Sequence, residues 1–372
     1  MSEMQATAVP RRREFYLDAA RAAAILSISM NHAVNRTYQN FGSQYYEFII
    51  IPRASTMAKV IAIVFGHLGV PLFLMISGAL LLHKNISNEG DIRRFYRHNL
   101  LPLLITTEVW YVLMYWFIQV FALPTENKGS GGIGGMLSTM LFVNQTTMDS
   151  MWYMPMILCL YLLIPFCCIL RRHVPLKMLA LPVLLVFLNQ MVIPNLNAYF
   201  ALEGIDMELE FVLRASNLFS MYFLYVLTGY WISQGGMNRL KTWMIAAGAV
   251  LSFAFCWAFQ YYACGKPETF NLDYDFAMLL VCAAFFFELF RRAAPHIKRG
   301  RRVITYLARI SFGIYFVHIL IMSYLEWHVY YHGWPRPAAM LFLEAVSVGG
   351  SIVVIALLSR IPICRKYLFM MK

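Results

Sequence analysis

Three ionisable residues stand in one apolar stretch, FYLDAARAAAILSISMNHAVN (15–35): Asp18, Arg21 and His32. Such side chains are costly within a bilayer, so in a membrane-length apolar segment they point to a functional site by default. His32 follows Arg21 by eleven positions. On a helix at ~100° per residue that is roughly 20° past three full turns, and ~16 Å along the axis at ~1.5 Å per residue. Arg21 and His32 therefore share a face. Asp18 falls one turn before Arg21 on the same side, where its carboxylate can pair with the guanidinium. An imidazole so placed suits a general base that takes a proton from a hydroxyl. The plainer alternatives are a histidine hydrogen-bonded between helices, and an ion pair that locks one helix against its neighbours.

Other residues could join this chemistry. Ser311, Tyr315 and His318 follow an i, i+4, i+7 spacing and share a face. Tyr315 and His318 either hydrogen-bond across helices or line the same cavity as His32. Glu108 is a lone acid in an apolar run, a partner for a histidine or for Arg309. Ser77, in ISGALLL, is nucleophile-like, but Ser beside Gly is ordinary where helices pack closely, and no base is assigned to it. Two basic loops, one with Arg93, Arg94 and Arg97 and the other RRAAPHIKRGRR (291–302) opening on Arg291 and Arg292, follow the usual cytoplasmic bias. Together they could also grip an anionic cytoplasmic cofactor by its phosphates, with bidentate guanidinium contacts. GSGGIGG (129–135) lacks the flanking strand and Lys-Ser/Thr of a phosphate loop and reads as a flexible linker. The seven cysteines form no CxxC or Cys/His metal pattern and read as packing residues, so no metal is expected.

The elements that must position these residues follow from composition. The chain has 372 residues, 60% hydrophobic and only 13% charged, against about 25% charged in soluble domains. Apolar runs recur along its length as transmembrane helices do, rather than barrel strands. The runs at 15–35, 58–82, 99–121, 152–170, 177–196, 214–233, 243–262, 276–290, 303–325 and 338–358 make an all-α polytopic membrane protein, a bundle of about ten transmembrane helices. Segment 36–56 is aromatic and suits the outer interface. Counting Lys and Arg tests the arrangement: 22 of 31 fall on the side of the termini, against 7 on the other. Both termini are therefore expected in the cytoplasm. The net charge of +12 is then mostly topology, not a nucleic-acid site. The first apolar run has no small-residue cleavage site and reads as a retained helix. The expected organisation is a basic cytoplasmic tail at 1–13, a single transmembrane domain at 14–360 and a second cytoplasmic tail at 361–372.

Four blocks resemble the acyltransferase 3 family of bacterial integral-membrane O-acyltransferases, in the family's order and over nearly the whole chain. They are LDAARAAAILSISMNHA, with Asp18, Arg21 and His32; GVPLFLMISGALLL (69–82), with Ser77; MWYMPMILCLYLLIP (151–165), with Trp152 and Tyr153; and SFGIYFVH (311–318), with Tyr315 and His318. The chain is most similar to short members that acetylate lipid-linked or surface sugars. The resemblance implies an acyl-CoA donor, usually acetyl-CoA, bound from the cytoplasm as substrate, and a carbohydrate or glycolipid hydroxyl as acceptor. It implies catalytic roles for His32, Arg21 and Asp18, and a bacterial cytoplasmic membrane as location. Arg93, Arg94, Arg97, Arg291 and Arg292 would meet the CoA phosphates. Two departures stand out. The histidine that often precedes the third block's Trp is absent, that region reading Asp149-Ser150-Met151-Trp152. The extracellular hydrolase-like domain of larger members is not seen either, so transfer would be direct or completed by a separate acyl-transfer or glycan-assembly partner.

Two other function classes compete. One is a membrane transporter or exporter of a sugar or amino-acid derivative, which the lack of an internal repeat weakens. The other is a scaffold or sensor in an envelope complex, which would tolerate changes at Arg21 and His32.

Overall fold

The computed structural model describes residues 14–38, 44–122, 132–143, 149–209, 220–329 and 333–371. The expected basic tail at 1–13, the first part of the 129–135 linker and the start of the span expected at 214 lie outside them. The described regular elements are all helical. In chain order they are α1 (Phe15–Tyr38), α2 (Gln44–Ile50), α3 (Arg53–His67), α4 (Gly69–Leu81), α5 (Glu89–Phe95), α6 (Leu101–Phe121), α7 (Gly132–Met140), α8 (Tyr153–His173), α9 (Ala180–Phe187), α10 (Ile193–Leu202), α11 (Met221–Ser233), α12 (Thr242–Cys264), α13 (Ala277–Ala293), α14 (Arg301–His328), α15 (Arg336–Leu358) and α16 (Pro362–Tyr367).

Seven helical spans among the described residues are long and apolar enough to cross a membrane, as a multi-pass membrane protein requires: Arg53–Leu81, Glu89–Phe121, Ser150–His173, Lys177–Leu202, Thr242–Cys264, Arg301–His328 and Arg336–Leu358. The other three expected spans are α1, α11 and α13. Those of α11 and α13 described as helix run for 13 and 17 residues. α1 has the length, but its ionisable and amide side chains dilute its apolarity. Its surroundings explain how they are tolerated. α1 packs against α3, α4, α13, α14 and α15, and 16 of its 24 residues are buried. It faces protein rather than lipid, the setting in which intramembrane polar residues are found.

Contacts set the direction of these helices. Thr305 lies by Asp18, His318 by His32, and Ser323 by Arg36. Position rises along both chains, so α1 and α14 are parallel and begin at the same end of the bundle. α15 runs the other way, with Arg336 donating to the Thr37 carbonyl near the far end of α1. The segment after α15 therefore returns to the end where α1 starts. It does not hang there as a tail. Trp110 Nε1 donates to the Leu368 carbonyl at 2.9 Å, Trp110 stacks on Phe316 at 4.7 Å, and Phe369 is buried in the core.

Several expected elements differ locally. The 58–82 span breaks at Leu68, where α3 gives way to α4. The expected linker at 129–135 turns helical from Gly132, where α7 begins. Cys264, expected in an outer loop, is the buried last residue of α12, and all seven cysteines are free. The backbones of α4 and α11 approach each other closely. A Cβ added at Gly78 would overlap the Val226 carbonyl, and one at Gly229 would overlap the backbone of Met75. Ser77 sits on this crossing, its hydroxyl donating to the Phe73 carbonyl at 3.0 Å.

Candidate active site

A cavity of about 430 Å³ lies between α1, α4, α6, α8 and α14. Its volume falls in the ~300–1,000 Å³ range of small-molecule sites. Arg21 from α1 and Arg309 from α14 line it, with Ser77, His98, Tyr153 and Tyr315. Phe369 and Met370 complete a wall, so the C-terminal segment is part of the site. Two cations, an imidazole and five hydroxyl-bearing side chains, Tyr161 and Ser311 among them, thus converge in a mostly apolar chamber, as an anionic ligand with an apolar portion would require.

The inner end of the cavity is tied down by tyrosines. Tyr315 donates its hydroxyl to the Ser150 carbonyl, just before α8. The Tyr153 ring lies 5.8 Å from that of Tyr315. One turn further along α14, His318 lies 6.4 Å from Tyr315 and 5.4 Å from His32, between ring centroids. His318 is fully buried, its Nδ1 2.6 Å from the Ile314 carbonyl, and its Nε2 has no hydrogen-bond partner. A ring nitrogen bonded to a carbonyl carries the proton, which leaves Nε2 as the acceptor. His32 itself does not line the cavity; ring contacts lead from Tyr315, on the cavity wall, through His318 to it.

The remaining candidates are distributed unevenly. Asp18 is buried at the start of α1, with the Thr305 hydroxyl 3.4 Å away. Trp152 is outside the cavity, its ring 5.4 Å from Tyr274 and 5.8 Å from Tyr222. One oxygen of Glu108 is buried without a hydrogen-bond partner; no ion pair joins that residue to Arg309 or a histidine among the described residues. Arg93 pairs at the surface with Glu89, and Arg94 and Arg97 are exposed within a turn of His98. Arg291 and Arg292 converge on Glu288, which is completely buried, at 2.7 and 2.6 Å. Arg292 also donates to the Met237 carbonyl at 2.8 Å. Their geometry is that of a structural ion triad. No group of three or more His, Cys, Asp or Glu among the described residues could hold a metal ion.

Four residues were missed in the sequence. His67 closes α3, its ring 5.5 Å from Tyr274, within electrostatic range of His32. Glu344 on α15 is interior, one of its oxygens buried without a partner. Glu288 anchors two arginines. All three are ionisable residues in apolar runs and were open to the same argument as His32. Phe369, beyond the last span, carried no signal, because an aromatic residue near a chain end says nothing of where it docks.

The sequence profile of one protein family, described as an acyltransferase domain, matches residues 14–360. No curated protein and no solved structure matches the chain.

Proposed function

The chain belongs to the acyltransferase 3 family and is a membrane acyltransferase, and from that footing we propose that it moves an acyl group, by preference acetyl, from acyl-CoA to a carbohydrate hydroxyl of the envelope or of a lipid-linked glycan. In this reading the termini are cytoplasmic and the membrane is the bacterial cytoplasmic membrane. The observation that carries it is the juxtaposition of a cationic cavity with a histidine pair, joined through Tyr315. The donor occupies the Arg21–Arg309 cavity, its phosphates towards the end where Arg94, Arg97 and His98 lie. Its thioester extends past Tyr153 and Tyr315 towards His32.

His32 then takes the proton of the acceptor hydroxyl as the oxygen attacks the thioester carbonyl. The carbon–sulfur bond breaks, the acyl group passes to oxygen, and the proton returns to the departing thiolate. His318, proton on Nδ1, packs its ring against His32 and limits that ring's tilt. Asp18 orients the Arg21 turn. The test uses the purified full-length protein with acetyl-CoA and a lipid-linked oligosaccharide, following thiol release and acetylated product by mass spectrometry. General-base loss typically removes about 10²–10⁴-fold, so His32→Ala protein with unchanged size-exclusion behaviour is expected to fall in kcat by that amount. A folded His32→Ala protein of wild-type rate would end the proposal.

A further inference from the structure

Several cations held within this fold are matched by carboxylates: Lys59 by Glu47, Lys266 by Glu203, Arg36 by Glu326, and Arg291 and Arg292 by Glu288. Arg171, on the last turn of α8, has no carboxylate among the described residues. Its Nη1 donates to the Tyr230 hydroxyl at 3.2 Å and its guanidinium lies 5.7 Å from the Tyr230 ring centroid. Its Nε is buried with no hydrogen-bond partner. A half-buried guanidinium with an unfilled donor is an unfavourable arrangement unless an anion completes it.

Beside Arg171 is a second cavity, of about 470 Å³, which shares no residue with the Arg21 cavity. Val183 and Val186 form one wall; Leu224 and Leu227 of α11 form the facing one. Its polar groups, Arg171, Tyr230 and Gln234, cluster at one end. From Gln234 to Phe223 the slot follows eleven residues of chain, ~16 Å at ~1.5 Å per residue. The remainder is apolar and lies within membrane-spanning segments, while Arg172 and Lys177 stand near the charged end. A small soluble anion would meet Arg171 but leave the slot unfilled. A neutral lipid would fill the slot but leave the guanidinium unmatched. Basic pockets between transmembrane helices take anionic headgroups, and guanidinium grips phosphate bidentately.

We propose that this cleft binds one anionic phospholipid, its phosphate on Arg171 and one acyl chain between α9 and α11. The experiment is native mass spectrometry of the detergent-purified full-length protein with dioleoylphosphatidylglycerol, the phosphate-free neutral lipid dioleoylglycerol or inorganic phosphate. Hydrogen bonds to a charged group are worth about 1.5–3 kcal/mol, so the wild type is expected to retain one phosphatidylglycerol at least about tenfold better than dioleoylglycerol. Arg171→Gln is expected to lose that preference. Leu227→Trp and Val183→Trp fill the slot without touching the guanidinium, and are expected to lose both lipids. Arg172→Gln, at an exposed neighbour, is expected to bind as wild type. Equal retention of both lipids by the wild type, or wild-type retention by folded Arg171→Gln and both tryptophan variants, overturns the proposal. So does phosphatidylglycerol that inorganic phosphate displaces as readily from the tryptophan variants as from the wild type, which would assign a small-anion site. If Arg171→Gln fails to fold for want of its Tyr230 contact, the tryptophan variants decide alone.

Discussion

His32 and His318 face each other with ring centroids 5.4 Å apart, and the chemistry proposed here depends on that pair. Spacing in the sequence put Arg21 and His32 on one face of a helix; α1 runs unbroken through both, and Arg21 lines the cavity while His32 does not. What spacing could not supply was the distance between helices, which brings His318 beside His32 and leaves both off the lining of the Arg21 cavity. The arginines divide in a testable way. Arg291 and Arg292 surround a fully buried Glu288, and stranding a buried charge typically costs about 3–5 kcal/mol. The double variant Arg291→Ala/Arg292→Ala is therefore expected to lower the thermal midpoint sharply, with the KM for acyl-CoA of whatever protein folds unchanged. Arg309→Ala, at an exposed residue on the cavity wall, is expected to do the reverse and raise that KM about tenfold, one charge-assisted contact being worth ~1.5–3 kcal/mol. Steady-state kinetics beside a melting curve separates the two.

The α4–α11 crossing shows why one motif misleads if read for chemistry alone. ISGALLL contains a hydroxyl that looks like a nucleophile, yet Gly78 and Gly229 bring two backbones together there and Ser77 bonds back along its own helix. Packing of small residues is enough to explain the block. Gly229→Leu is expected to destabilise the protein by at least about 1–3 kcal/mol, as overpacking does, read as an earlier unfolding transition. Ser77→Ala is expected to keep most of the wild-type turnover; loss of all acyl transfer in folded Ser77→Ala protein would restore the nucleophile. Apolar runs placed most helices to within a few residues. The break at Leu68 was legible in Gly66, Gly69 and Pro71, which flank it, but the apolarity of both α3 and α4 made them read as one span.

At the scale of the whole molecule, α1 lies within the bundle while Lys177–Leu202 and Thr242–Cys264 are mostly unburied by protein. Hydropathy marks these peripheral spans more strongly than α1 and cannot tell inside from periphery; a helix's ionisable residues are the better guide, and α1 was legible for that reason. The C-terminal segment was not. Its docking rests on Trp110, Phe316 and Phe369, three aromatics from distant parts of the chain. Removing a large core aromatic costs about 3–5 kcal/mol, so Phe369→Ala is expected to lower the melting temperature and, because Phe369 lines the Arg21 cavity, to weaken donor binding as well. Donor titration by calorimetry would register the second effect apart from the first. The parallel pairing of α1 with α14 also bears on how the protein is made. Arg36 meets Glu326, and at ~5–20 residues per second the ribosome takes roughly 15–60 s to travel from one to the other. For that interval the first helix has none of its α14 contacts. The insertion machinery must shelter its polar groups, or the nascent chain must let the helix wait at the membrane surface, until about three-quarters of the protein has followed it.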